Sequence, residues 1–268
     1  MKIFRLIKSH SDSALLQNDL NTLSVWCNLN KLPLNIDKCK VMSFTRSRSP
    51  IINDYTINNI VLQRVFEICD LGVTFDSTFS FNKHYLNITK KSSTIIGFIN
   101  RTYKDFTNSD ALKILYFSLV RSSLEYNSVV WSPSSVVHTQ SLEAIQNYFL
   151  RFISYKCNIP RKPHSQYTPL LIKLNMTTLA ARRKIIDLKF LYKIVNGFLN
   201  CPELLSCLNF NVPHCRTRSA NTFYIPLQRT NYALCSPINR LMKITNDVQI
   251  DLFSFPSFEC FCNFIAYL

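Results

Sequence analysis

Apolar residues recur at helical spacing early in the chain, at Leu16, Leu20, Leu23 and Cys27 with Trp26 on the same side. Ser11-Asp12-Ser13 ahead of them supplies capping side chains, and Pro33 follows. One amphipathic helix is predicted there. The pattern then turns extended. Cys39 to Arg46 reads as a short strand, and Tyr55 to Ile57 and Ile60 to Phe66 flank Asn58-Asn59, a dipeptide suited to the positive φ of a tight hairpin turn. Ile68 to Phe75 reads as one more strand with Gly72 at its centre, where glycine marks a bulge or a close backbone approach.

From Asn82 the period becomes helical again. Tyr85, Ile88, Ile95, Ile96, Ile99 and Tyr103 form an apolar stripe, with Lys83, Lys90, Lys91 and Arg101 elsewhere. Asn108-Ser109-Asp110 can cap a following helix whose inner face is Leu112, Leu115, Leu119 and Val120, with Pro133 closing the segment. The next begins near Thr139 and carries Leu142, Ile145, Phe149 and Phe152 inward. Asn158 to Tyr167, with Pro160, Pro163 and Arg161-Lys162, reads as a linker, and Pro169 suits a first helical turn. Thr177-Thr178 lead into a long basic helix ended by Gly197. Its inner face reads as Ile185, Leu188, Tyr192 and Val195, and Arg182, Lys189 and Lys193 share an outer stripe. Beyond Pro202 the pattern weakens, and a last helix is predicted near Ser236 to Thr245.

Composition narrows the function. The chain has 268 residues, of which 47% are hydrophobic and 13% aromatic, so it can bury a core and is not of disordered type. With only 3 Gly, the glycine-rich loops that cradle phosphates in P-loop and dinucleotide-binding proteins are excluded. The formal charge of +15 favours a polyanionic partner, because neutralising phosphates releases condensed counterions. Most of it lies between Ser135 and Thr230, where 13 Lys/Arg face only Glu143, Asp187 and Glu203. The three cations of the outer stripe could track a phosphate backbone or form a solvated face.

The most apolar stretch, Ile185 to Leu199, is interrupted by Asp187, Lys189 and Lys193, and no export signal opens the chain. The expectation is an intracellular protein of nucleus or cytoplasm with no membrane span. Its 10 cysteines are then reduced. Cys201, Cys207, His214 and Cys215 approach a zinc set most nearly, but no close Cys pair answers a close Cys/His pair, so no metal site is expected. Asp247, Asp251 and Glu259 lack the partners of a nuclease site, and His84, His138, His164 and His214 sit in unrelated contexts.

Leu16-Gln17-Asn18-Asp19-Leu20 leading to Trp26-Cys27, then Leu34-Asn35-Ile36-Asp37-Lys38-Cys39-Lys40, Met42-Ser43-Phe44-Thr45-Arg46, and Asp70-Leu71-Gly72-Val73 with Asp76, stand in an order that resembles the reverse transcriptases of non-LTR (LINE-type) retrotransposons, particularly the jockey-like group. Phe98 to Arg101, Leu115-Tyr116, Leu119-Val120-Arg121, Leu124-Glu125-Tyr126, Trp131-Ser132-Pro133 and Leu142-Glu143 with Ile145-Gln146 continue the series, and Asp251-Leu252-Phe253 also has a counterpart. Each is weak alone; their order over Leu16 to Phe152 carries the resemblance.

The resemblance implies that Lys38 sits near an incoming triphosphate, and that Leu71-Gly72 belong to the primer grip, a bulged hairpin whose backbone holds the primer end. It further implies that the helices from Asn82 to about Tyr155 form the thumb, with some of Lys83, Lys90, Lys91, Arg101 and Lys104 toward a template–primer duplex. In the family two Mg²⁺ ions act through carboxylates held together. No adjacent Asp-Asp occurs here, and the family's Tyr-x-Asp-Asp turn precedes a segment like Met1-Lys2-Ile3-Phe4-Arg5. Asp12, Asp37 and Asp76 are not substitutes, so no catalytic residue or retained cofactor is expected and the lone chain should not polymerise.

The expected fold is α+β. Residues 1–80 would be a distal palm remnant, a small antiparallel sheet with one helix and the primer-grip hairpin, with an open edge favouring aggregation. Residues 81–156 would be a helical thumb and 157–268 a basic helical C-terminal region. The expected partner is an RNA/DNA template–primer, contacted by Lys38, Leu71, Gly72, Lys90, Lys91, Arg101, Arg182, Lys189 and Lys193, with no small-molecule substrate. The alternative is a non-catalytic nucleic-acid-binding or interaction protein derived from such an element.

Overall fold

Ser9 is the N-cap of the first helix, α1 (His10–Leu29), and Asp12 of the predicted Ser11-Asp12-Ser13 run completes the cap. The Ser9 side chain accepts from the Asp12 N–H while the Asp12 carboxylate accepts from the Ser9 N–H at 2.8 Å, a reciprocal capping box. This is the start of a computed structural model that describes residues 1–103, 105–162, 165–212 and 221–266. The chain is mixed, with helix outweighing strand and all strands short, which places it in the α+β class. It divides into two compact units, Met1–His84 and Tyr85–Leu268.

In the first unit Leu16 and Leu20 of α1 pack on a small core of Tyr55, Ile57 and Leu62. Trp26 departs from the expectation. It is 52% exposed, because Ser13, Ser24 and Cys27 take the buried positions of α1. Asn35 caps a single 3₁₀ turn, Ile36–Lys38, by accepting from the Lys38 N–H. β1 (Lys40–Val41) pairs in parallel with β4 (Gln63–Arg64), while β2 (Thr56–Ile57) and β3 (Ile60–Val61) form the expected hairpin. Asn58 and Asn59 have φ of 51° and 62°, the left-handed pair that a two-residue turn requires. The Gln17 side chain stands in for a neighbouring strand at Thr56, donating to its carbonyl at 2.8 Å and accepting from its N–H at 2.9 Å.

The stretch Ile68 to Phe75 is not one strand. β5 (Glu67–Asp70) and β6 (Val73–Asp76) pair antiparallel in continuous register, Glu67 with Asp76 through Asp70 with Val73. Gly72 (φ 79°) therefore lies in the turn with Leu71 (φ 45°), and no residue is bulged out of the ladder. The pattern of alternation alone could not distinguish a strand from a hairpin whose turn keeps the same parity. Among the described residues the strands make three separate two-stranded sheets, one of them parallel, instead of a single antiparallel one.

After β6 the Asp76 carboxylate organises a tight loop, accepting from the Thr78, Ser80 and Phe81 N–H groups and from both hydroxyls. Burial pushes its pKa up, but these hydrogen bonds outweigh it and hold the group down to about 2. They also hold Phe79 and Phe81 at positive φ, where Phe79 stacks on Phe44.

In the second unit α2 (Asn82–Thr102) buries Tyr85, Ile88, Ile96 and Ile99 as its stripe predicts. Asn108 caps α3 (Ser109–Leu115), which continues through a π-helical segment, Tyr116–Arg121, into α4 (Ser122–Glu125). The buried residues are Leu112, Tyr116, Val120 and Leu124, so Leu119, expected inward, is exposed. Steps of four overshoot an α-helical turn by about 40° each. The wider π turn absorbs that drift and keeps the four on one face.

Tyr126 ends the run and Asn127, at positive φ, leads into the short α5 (Ser128–Trp131). α6 (Val136–Lys156) begins three residues before Thr139 and buries Leu142, Ile145, Phe149 and Phe152 as expected. Tyr116 stacks on Phe149 at 4.1 Å.

α7 (Thr168–Lys173) has Pro169 in its first turn, and α8 (Leu179–Val195) is capped by Thr178 and followed by Gly197 at φ 73°. α6 packs against both, so the helices on either side of residue 157 belong to one unit. The rest is α9 (Pro202–Ser206), α10 (Asn231–Leu234), α11 (Pro237–Val248) and α12 (Phe258–Ile265). A second core gathers around α8, with Leu188, Leu191 and Tyr192 against Leu241, Met242, Phe261 and Ile265, and Tyr192 stacked on Phe261 at 4.2 Å. No helix among the described residues is long and apolar enough to cross a membrane.

Candidate nucleic-acid interface

The expected contact residues fall into two sets, one in each unit. Lys38 is exposed at the end of its 3₁₀ turn, and Leu71 and Gly72 are exposed at the tip of the β5–β6 hairpin, Leu71 at 75%. Lys2 bonds Asp70 and Lys83 bonds Glu67 at opposite ends of β5. In the second unit Lys90, Lys91 and Arg101 are exposed on α2, with Lys90 and Arg101 three turns apart on one face. Lys104, His164, His214, Cys215, Arg216 and Arg218 lie outside the described residues.

The expected outer stripe of α8 is not a row of free cations. Arg182 turns back to Glu125 with both Nε and Nη2, the latter at 2.9 Å. That bond raises the Arg182 pKa, and Arg121, whose guanidinium lies 3.5 Å over the Phe117 ring, shares the same carboxylate at 3.7 Å. Lys193 lies 4.9 Å over the Phe258 ring, and Lys189 is half-buried. Arg183, counted among the cations of the basic region, is 3% exposed. Burial lowers its pKa, and the charges of Glu143, Glu125 and Asp187 oppose that effect.

The inner face of α8 is accordingly polar in part, since Asp187 is 1% exposed and takes Arg240 of α11 at 2.9 Å. Burial raises the Asp187 pKa against the pull of Arg240 and Arg183. Arg240 also donates to the Val129 carbonyl at 2.5 Å, tying α5, α8 and α11 together. Glu143 accepts from the Ala180 N–H at 2.7 Å and so caps α8 from α6. Tyr116, its pKa raised by burial, donates to Gln146, which donates to the Thr177 carbonyl at 3.0 Å.

Periodicity did not single out the groove between the ends of α2 and α6. Its walls are Asn100 and Arg101 on one side and Tyr148, Arg151, Phe152, Tyr155 and Lys156 on the other, enclosing about 690 Å³ open to solvent. A second hollow of about 530 Å³ shares Arg151 and Tyr155 and runs on past Asn158 to Arg161. The chain turns back there because Asn158 is left-handed (φ 49°) and the Ile159 N–H and carbonyl both bond Ser154. Arg161 is stacked 4.3 Å over the Tyr167 ring and donates to the Ser165 carbonyl. Among the described residues no carboxylate lines either hollow. The signal was present in the sequence as Tyr148, Arg151 and Tyr155, a basic and aromatic stripe at steps of three and four beside the apolar one.

Basic and aromatic side chains thus form part of the described lining of both hollows. Among the described residues no three His, Cys, Asp or Glu side chains converge to hold a metal ion. Cys201 and Cys207 are free thiols. Comparison of the chain with models of known families, with curated proteins and with solved structures finds no match.

Proposed function

We propose that this chain is the part of a non-LTR-type reverse transcriptase that holds template and primer without carrying out nucleotide transfer itself. The observation that carries the reading is the basic and aromatic groove lined by Arg101, Arg151 and Tyr155, joined to the ordered sequence resemblance over Leu16 to Phe152. In this reading the first unit is a distal palm remnant, with Leu71 and Gly72 of its β5–β6 hairpin as the primer grip and Lys38 beside the triphosphate. The helices α2 to α6 are the thumb, and the helices beyond are a basic C-terminal region.

Two measurements test it. The full chain is expected to bind an RNA–DNA hybrid with affinity that falls steeply with salt, as several phosphate contacts require. With primed template and Mg²⁺ it should extend no primer. Salt-independent binding overturns the holding role, and clear extension overturns the division between holding and chemistry. The groove alone also favours a second reading, a nucleic-acid-binding protein that acts outside any polymerase. Equal affinity for primed and unprimed strands would favour it.

A further inference from the structure

The α2–α6 groove differs from a plain phosphate-binding face in how its side chains alternate. Tyr155 is 82% exposed and Tyr148 41% exposed, large apolar areas left in water beside cations. They lie seven residues apart on α6, two turns or about 10 Å along one face. Arg151 stands between them, with its guanidinium 5.6 Å from the Tyr148 ring centre. Arg101 and Lys156 occupy the last turns of their helices, where a cation also offsets the helix dipole, so those two alone would say little. Arg151 and Arg161 have no such role, and among the described residues neither is in an ion pair with a carboxylate.

We propose that this groove binds single-stranded nucleic acid, with Tyr148 and Tyr155 as stacking platforms for two bases and Arg151 and Arg161 on the phosphates between and beyond them. The proposal rests on the nucleic-acid-holding reading above and narrows it. A duplex offers the groove only phosphate and sugar, because its bases already stack on one another, and leaves both rings idle. A single strand rises about 3.4 Å per stacked nucleotide, so the two rings match bases about three steps apart. The open walls suit a strand that enters at Arg101 and leaves at Arg161, whereas a small ligand needs enclosure on most sides.

The test uses the full chain and fluorescently labelled oligonucleotides of about 12 nucleotides, a length within the range single-strand grooves cover. Single-stranded RNA, single-stranded DNA and blunt duplex are titrated over a salt series. Replacing Tyr148 and Tyr155 together by Ala should weaken single-strand binding at least ~10-fold, leave duplex binding within about twofold and keep the salt slope. Tyr148→Phe with Tyr155→Phe keeps both rings and should bind like the parent, which separates stacking from misfolding. Arg151→Gln with Arg161→Gln should lower the single-strand salt slope by about 1.4.

Equal loss on duplex and single strand, or no loss on single strand, overturns the stacking proposal while the broader reading stands. Failure of the parent chain to bind any nucleic acid at low salt overturns both. The RNA and DNA arms show which strand is preferred, and a preference for duplex over either counts against the proposal.

Discussion

Replacing Arg240 by Ala removes the ion-pair partner of Asp187, a carboxylate 1% exposed. The Val129 carbonyl loses a donor in the same step. Removing one member of a buried pair costs about 3–5 kcal/mol, because the other charge stays out of water. The positive field of Arg183 remains, so the lower end, about 3 kcal/mol, is expected. Asp187→Asn should cost only about 1–2 kcal/mol, since the amide oxygen still accepts from the guanidinium. Arg240→Met with Asp187→Leu should cost less than Arg240→Ala, because no charge is stranded.

Urea unfolding followed by tryptophan emission measures these losses. The chain has 2 Trp, and Trp26→Phe leaves the buried Trp131 as reporter of the second unit. Proton linkage gives a second check. A carboxylate whose folded pKa is raised contributes stability that is present below its unfolded pKa and is lost as pH rises through the folded one. Without Arg240 the pKa of Asp187 rises further, so the deficit of Arg240→Ala should shrink as pH falls from neutral toward the carboxylate range. A deficit under about 1 kcal/mol at neutral pH, or one that grows on acidification, would refute the stranded-charge account.

Gln17→Ala should destabilise the first unit by about 1–2 kcal/mol through loss of both hydrogen bonds to Thr56, seen as faster amide exchange at Thr56 with Trp26 as the unfolding probe. The Asp76 carboxylate, held at about 2, contributes stability that is present above the unfolded carboxylate pKa and is lost as pH falls through the folded one. The first unit should therefore lose on the order of 2 kcal/mol between about pH 4 and pH 2, a loss Asp76→Asn should not show; identical acid profiles would sink the assignment. Leu71→Asn should stabilise the β5–β6 hairpin by about 1 kcal/mol, because Leu71 is exposed and sits at φ 45°, where asparagine is tolerated better. An unchanged or lower melting point would show that the exposed leucine side chain is held by contacts that outweigh its backbone cost.

Local rules worked where the local signal was unopposed. Asn58-Asn59, Asn108, Pro169, Thr178 and Gly197 each act as their chemistry requires, since a turn, a cap or a stop depends on only a few neighbouring atoms. Registers that depend on tertiary partners were harder to read. The π turn at Tyr116–Arg121 rotates the face of its helix, so Leu119 points outward although its spacing said inward. On α8 a charge pattern hid two inward-facing residues, Arg183 and Asp187, because Arg240 lies 53 positions beyond Asp187 and cannot be paired with it from spacing. The helix at Phe258–Ile265 is not legible in the sequence because only Ser257 marks its start and no stop residue marks its end.

The same lesson bears on the charge count that pointed to nucleic acid. Of the cations between Ser135 and Thr230, Arg182 is spent on Glu125, Arg183 is inside the unit, Arg161 is anchored on Tyr167 and Lys193 rests on Phe258. Arg182 therefore contributes little outward field, since its carboxylate partner cancels it at contact distance. Arg161 and Lys193 differ, because a ring or a carbonyl orients a cation without neutralising it. If the proposed reading holds, a polyanion would meet the cations with no carboxylate partner among the described residues first, and Arg151 and Arg161 are of that kind at the α6 groove. Charge reversal at Arg182 should thus unfold more than it unbinds, whereas Arg151→Glu should unbind and leave the melting point within a few degrees. The opposite ranking would place the interface on α8 after all.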